Sequence, residues 1–254
     1  MFRLYRLFGV IFLFMVFIVG AVVMRFYAVT ELNRRRVSCW WTHKMCRTGA
    51  RFLGLNVHAD GAENIPEGGC LVLSNHMSYL DIMVYSSVRP AVFVTSVEME
   101  QTFFLGFIAK IGGSYFVERR NTKNIKQELS VIADLIDQGF VVVLFPEGTS
   151  TDGSKILPFR SSFIAGATET GVDVVPACLR YDRINGEPFS DSNCDYVCWY
   201  GDMTFAPHFY RFMGLRNTEA SASWLTAISS SGLDRKMITR KAHELIAASY
   251  FGAA

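Results

Sequence analysis

No Gly-x-Ser-x-Gly elbow and no Cys-x-x-Cys pair occur anywhere in the 254 residues. The first absence removes the usual setting of a serine nucleophile at a strand-to-helix turn. The second removes the commonest zinc-knuckle and dithiol spacings. The six cysteines, at 39, 46, 70, 178, 194 and 198, lie mostly among apolar neighbours and read as reduced, buried thiols. Charge of one sign is also scarce: 25 Lys and Arg face 23 Asp and Glu, leaving +2. That is too weak a field to point to nucleic acid. Internal repeats, low-complexity segments and long linkers are missing too, which excludes solenoids and flexible multidomain arrays.

What the chain does have is a long hydrophobic run. Leu7 to Met24 contains no charged residue and reaches the roughly 18 residues needed for a membrane helix. A secretory signal peptide has a shorter apolar region and a small-residue cleavage site; here Arg25-Phe26-Tyr27 follows. Residues 1–29 therefore read as a membrane-anchoring helix. Arg3 and Arg6 precede the run, whereas Arg25, Arg34, Arg35, Arg36, Lys44 and Arg47 follow it. The heavier positive side stays inside, so the body is expected to face the cytoplasm from the cytoplasmic (inner) membrane. Residues 30–55 read as a second helix, with Trp40, Trp41 and Phe52 interleaved among basic residues. That mixture suits a headgroup layer, and equally a helix docked on the domain with a solvated basic face.

From about residue 56 to 254 strands alternate with helices, the pattern of an α/β domain with a mixed, mostly parallel sheet flanked by helices. Strands are expected at 70–74, 91–95, 115–117, 140–145 and 172–179. Helices are expected from Leu80, at 124–138, 161–170 and 234–250, and 103–111 reads as an apolar helix or a membrane-facing loop.

Four stretches carry chemistry. Leu71-Val-Leu-Ser-Asn-His-Met-Ser-Tyr-Leu-Asp81 runs from an apolar strand into a turn. It puts His76 just past the strand end with Asp81 five residues on, a general base with its orienting carboxylate. Without a protein nucleophile, such a pair suits direct activation of a substrate hydroxyl. Gly112-Gly-Ser-Tyr-Phe-Val-Glu-Arg-Arg120 joins a flexible turn to paired arginines, which suit bidentate phosphate binding. Leu144-Phe-Pro-Glu-Gly-Thr-Ser150 ends an apolar strand in a carboxylate and a glycine. Gly148 and Thr149 offer backbone and hydroxyl donors there. Val174-Val-Pro-Ala-Cys-Leu-Arg-Tyr181 places proline in a strand, where an edge, bulge or strand start is expected.

In this order and at these distances, the four stretches resemble the glycerolipid acyltransferase family, which includes the 1-acylglycerol-3-phosphate acyltransferases. N-H-x4-D is matched by Asn75, His76 and Asp81; G-x-x-[FY]-[VI]-x-R by Gly113, Phe116, Val117 and Arg119. F-P-E-G-T is matched by Phe145 to Thr149, and V-P-[VA] by Val175, Pro176 and Ala177. The resemblance covers residues 56 to 182. It implies acyl transfer from acyl-CoA or acyl-carrier protein, as co-substrates, to the free hydroxyl of a lysophospholipid, 1-acylglycerol-3-phosphate first of all. No further cofactor and no metal are implied, and the membrane bilayer is the expected partner.

By the same resemblance His76 and Asp81 are catalytic, and Asn75, Gly113, Arg119, Glu147, Gly148 and Thr149 bind substrate. Arg119 is assigned to the phosphate and Glu147 to a glycerol hydroxyl. Two departures stand out. Many members carry Arg where Ser150 stands, and Lys where Ser96 stands. The acceptor thus stays open between lysophosphatidate and another lyso-lipid such as lyso-ornithine lipid. The alternative from a different class is a non-catalytic lipid-binding membrane protein. His208, beyond the four motifs, reads as structural.

Overall fold

The computed structural model describes residues 1–118, 125–164 and 171–252. The chain opens with two long helices, α1 (Phe2–Tyr27) and α2 (Glu31–Leu53). The Thr30 side chain accepts the Asn33 N–H at 3.1 Å and starts α2; Gly54, at φ 74°, ends it. Only a residue without a Cβ turns the chain there at little cost.

The two helices run antiparallel. Gly9 lies under the Phe52 ring and Gly20 under the Trp41 ring, and Trp41 Nε1 donates to the Phe17 carbonyl at 2.9 Å. The small residues let the helices approach; a Cβ at either position would enter the facing ring. α1 is long and apolar enough to cross a membrane. Its outer face leaves Phe8, Phe12, Met15, Val19 and Phe26 exposed.

Near the start of α1, Arg6 is buried and donates to the carbonyls of Met213, at 3.3 Å, and Leu215. Those groups follow the C-terminus of α7 (Phe205–Phe212), where a cation is favoured. On the second helix Arg35 and Arg36 donate to the carbonyls of Gly113 and Gln138, each at 3.1 Å. Trp40, Lys44, Arg47 and Arg51 remain exposed. They recur at helical spacing along one stripe.

The remaining elements are β1 (Leu55–Asp60), β2 (Cys70–Ser74), α3 (Leu80–Val88), β3 (Val92–Ser96), α4 (Val97–Glu100), α5 (Phe103–Ile111) and β4 (Tyr115–Val117). They continue with α6 (Ile125–Asp137), β5 (Val141–Leu144), β6 (Val174–Ile184), β7 (Glu187–Pro188), β8 (Thr218–Trp224) and α8 (Arg235–Phe251). The sheet runs β1-β8-β6-β2-β5-β3-β4, with β7 hairpinned onto β6. From β6 to β4 the neighbours are parallel; β8 lies antiparallel to β6, and β1 parallel to β8.

β2 is the middle of this sheet. Leu71, Val72 and Leu73 have no solvent exposure. Val72 joins the core under α3, and its neighbours Leu71 and Leu73 join the opposite core under α6 and α8. That is the alternation of a strand covered on both faces, and it explains the unbroken apolar run. Each such side chain contributes roughly 1.5–3 kcal/mol by leaving water.

The strand expected at 172–179 begins at Val174 and continues to Ile184. The helix expected at 161–170 is a 3-10 turn over Ser161–Ile164, and residues 165–170 lie outside the described residues. β8 was not anticipated. Its sequence, Thr-Glu-Ala-Ser-Ala-Ser-Trp, alternates buried and half-buried positions, but with alanine and serine the contrast is too faint to read.

Replacing Gly20 with leucine is expected to push Trp41 off α1 and lower stability by roughly 1–3 kcal/mol, as overpacking does. Thermal unfolding of the detergent-solubilised protein, together with a red shift of tryptophan emission, checks this. An unchanged midpoint and spectrum would mean that the helices do not pack as described.

Candidate active site

Beyond Ser74 the chain leaves the sheet. Asn75 pins the exit: its side chain accepts the Leu179 N–H and donates to the Leu179 carbonyl, both at 2.8 Å. Leu179 belongs to β6, the neighbouring strand. Asn75, expected to bind substrate, is buried and committed to this clamp.

His76 follows, with its Nδ1 2.9 Å from Asp81 Oδ2. The same oxygen accepts the N–H groups of Met77, at 2.7 Å, and Ser78, at 2.9 Å. The other oxygen, Oδ1, accepts the Tyr181 hydroxyl at 2.8 Å. Asp81 has no exposure, while the His76 side chain is 22% exposed. A buried carboxylate with four donors is satisfied without water. Because it only accepts, Nδ1 carries the proton and Nε2 is the basic nitrogen. The imidazole also stacks on Phe145, with centroids 4.1 Å apart and planes 16° apart.

The backbone of the loop is fixed as well. The His76 N–H donates to Glu147 Oε1 at 2.8 Å, and its carbonyl accepts the Thr151 N–H at 3.0 Å. The Met77 carbonyl accepts the Trp199 N–H at 2.8 Å. Glu147 uses its second oxygen on the Leu157 N–H at 2.7 Å and is 2% exposed. Glu147 was expected to meet a glycerol hydroxyl; here it joins the F-P-E-G-T loop to the histidine loop. Burial pushes its carboxyl up to about 7, with the Leu157 and His76 N–H groups pulling the other way.

His76 opens onto a cleft of about 250 Å³. Gly148, Thr149 and Ser150 form one wall. Val94, Ser96 and Met99 form another, and Trp199, Tyr200 and Gly201 a third. Gly148, at φ 77°, makes the turn, and the Arg160 guanidinium lies 3.2 Å from where its Cβ would be. The Ser150 hydroxyl donates to the Trp199 carbonyl, so two walls are tied together.

The structure thus brings His76, Gly148 and Thr149 to one cleft, with Asp81, Glu147 and Asn75 buried behind it. Gly113 is elsewhere. At φ 92° it turns the chain against α2, where a Cβ would meet Cys39 Sγ at 3.1 Å. Arg119 and Arg120 lie outside the described residues. His208 is buried on α7 with its Nδ1 2.9 Å from the Tyr79 hydroxyl, and burial lowers its pKa to about 4. It is therefore neutral and sits in an aromatic cluster.

Sequence reasoning missed Tyr181 and the Trp199–Gly201 wall. The aromatic Trp199-Tyr200-Gly201 stretch was a visible signal, but no motif tied it to the site. Among the described residues, no group of three or more His, Cys, Asp or Glu is disposed to hold a metal ion.

The Acyltransferase family model matches residues 56–180. The chain is 29% identical over 228 residues to a lyso-ornithine lipid O-acyltransferase from Pseudomonas aeruginosa, covering 89% of this chain and 82% of that protein. It is 32% identical over 185 residues to the lyso-ornithine lipid O-acyltransferase of Rhizobium meliloti, covering 70% of this chain and 62% of that protein. The crystal structure of a 1-acyl-sn-glycerophosphate acyltransferase, PlsC, from Thermotoga maritima superposes with a TM-score of 0.70. That match has 15% identity and covers 100% of this chain and 99% of that one. At that identity the match shows the shared fold.

The raised Glu147 carboxyl has a pH signature. Its folded pKa exceeds its unfolded one, so the folded protein holds more protons between about 4.5 and about 7. Stability is then lost as pH rises through that window, by up to roughly 3 kcal/mol. Glu147→Gln is expected to flatten that part of the stability curve, while costing the Leu157 hydrogen bond at every pH. Midpoints of thermal unfolding from pH 4.5 to 8, wild type against variant, check this; parallel curves would contradict it.

Proposed function

Because the chain belongs to the glycerolipid acyltransferase family, we propose that it moves a fatty acyl group from acyl-CoA or acyl-carrier protein to the free hydroxyl of a lyso-lipid. The observation carrying this is the cleft-facing imidazole whose Nδ1 is held by a buried carboxylate. Nε2 of His76 takes the proton of the acceptor hydroxyl, and the oxygen attacks the thioester carbonyl carbon. The C–O bond forms and a tetrahedral oxyanion develops. The Gly148 N–H already donates to the Phe145 carbonyl at 3.2 Å. The oxyanion therefore falls to the next N–H groups along the cleft wall, those of Thr149 and Ser150. The C–S bond then breaks, and the leaving thiolate takes the proton from His76. A positioned base of this kind contributes roughly 10²–10⁴-fold.

Lyso-ornithine lipid is the acceptor this reading favours. The support is Ser150 where many family members carry Arg, together with two relatives named for that acceptor. Among the described residues lining the cleft there is no Lys or Arg. The second reading is 1-acylglycerol-3-phosphate, giving phosphatidic acid; Arg160, beside Gly148, and Arg119 would serve its phosphate. α1 holds the enzyme on the cytoplasmic face of the inner membrane. Phe107, exposed on α5, adds contact with the lipid that supplies the acceptor.

Thiol release from acyl-CoA by the vesicle-reconstituted enzyme distinguishes the acceptors. Faster release with lyso-ornithine lipid than with lysophosphatidate is expected, by at least about tenfold in kcat/KM, a difference of about 1.4 kcal/mol. The reverse preference would install the second reading. No acceptor-dependent release from either acyl-CoA or acyl-carrier protein would remove both.

A further inference from the structure

Among the described residues, the Asp81 oxygen that does not face His76 has a single side-chain partner, the Tyr181 hydroxyl, and that contact crosses from α3 to β6. Tyr181 is 3% exposed. Its oxygen lies 2.8 Å from Asp81 Oδ1, and its ring packs near Phe189, with centroids 6.3 Å apart. It follows the Val-Pro-Ala stretch on the strand that also receives the Asn75 clamp. One strand therefore fixes the histidine loop at two points: Leu179 holds Asn75, and Tyr181 holds Asp81.

We propose that Tyr181 is a positioning residue for acyl transfer, the third member of a His76–Asp81–Tyr181 chain that fixes the carboxylate and sets how much of its charge His76 feels. The proposal rests on the reading of His76 as the base. The hydroxyl donates to a charged oxygen, and charge-assisted bonds of this kind are stronger than neutral ones. It draws part of the carboxylate's negative charge away from the imidazole, and members of such a chain polarise one another. No proton leaves Tyr181, because burial and the neighbouring Asp81 charge push its ionisation well above the ordinary tyrosine range.

Without the hydroxyl, more of the Asp81 charge faces His76 and the imidazolium is favoured. The base then stays protonated to higher pH, and the acid limb of kcat/KM moves up. The other titratable groups near Asp81 are Tyr85 on α3, Glu147 beyond β5, Cys198, and Tyr250 on α8. Burial pushes Tyr85, Cys198 and Tyr250 up, so they stay neutral near pH 7. Burial pushes the Glu147 carboxyl up to about 7, so its own protonation adds to the pH profile. The shift is therefore read as a difference between two proteins that both keep Glu147.

The test is the pH dependence of acyl transfer by reconstituted wild type, Tyr181→Phe, Asp81→Asn and the double variant. For Tyr181→Phe, kcat is expected to fall about 10- to 100-fold with KM for donor and acceptor within about twofold, the pattern of lost transition-state interaction. The acid limb should move up by about half a pH unit or more. In the Asp81→Asn background the same change should cost little, since the partner is already altered. Site-specific 3-fluorotyrosine at 181, a stronger donor of nearly the same shape, should move the limb down and serves if Tyr181→Phe does not fold. Wild-type kcat and limb in folded Tyr181→Phe, an unmoved limb with 3-fluorotyrosine, or a loss fully additive with Asp81→Asn would overturn the proposal. If His76→Ala is as active as wild type, the base reading itself has failed; if only His76→Ala loses activity, this inference alone has.

Discussion

A carboxylate with no solvent exposure keeps its charge only if hydrogen-bond donors replace the water it lost. Asp81 meets that constraint with two backbone N–H groups, the His76 ring and the Tyr181 hydroxyl. The rest of the site is arranged around this satisfaction. The backbone donors exist because the chain after β2 curls over the start of α3. The tyrosine is present because β6 lies beside β2 in the sheet. Breaking any of these would leave a buried charge short of a partner, at roughly 1–3 kcal/mol or more for a charged group.

A second layer of buried polar bonds holds the loops that surround the histidine. Glu147 joins the strand end at Phe145 to the His76 backbone, Thr151 closes on the His76 carbonyl, and Trp199 closes on Met77. The Tyr250 hydroxyl, near the end of α8, donates to the Gly153 carbonyl at 2.8 Å. Three loops and the last helix are thereby fixed to one another before substrate arrives. Such preorganisation leaves the imidazole little freedom to reorient during reaction.

Much of this was legible in the sequence, and the limits have physical causes. The central strands could be read because burial on both faces makes them continuously apolar, as in Leu71–Leu73 and Val141–Leu144. Thr218–Trp224 could not, because small residues blur its alternation. His76 and Asp81 were legible as a pair at a strand end. Asn75 and Glu147 were legible as special but not in their roles. A motif marks that a polar residue matters without saying whether it faces substrate or a neighbouring backbone. Here both face backbone, which only the pairing of β2 with β6 and β5 reveals. Tyr181 was hidden for the same reason: its partner is distant in sequence and adjacent only through the sheet. The arginines of α2 show the same limit, since the sequence suits a headgroup layer and a docked helix alike, and only the fold shows Arg35 and Arg36 donating to carbonyls of the domain.

The proposed chemistry depends on the imidazole. Thiol release from acyl-CoA, in vesicles containing lyso-lipid acceptor, compared between wild type and His76→Ala, tests it most directly. A fall of roughly 10²–10⁴-fold in kcat with little change in acceptor KM is the predicted result. Acceptor-dependent release at the wild-type rate in folded His76→Ala would contradict it.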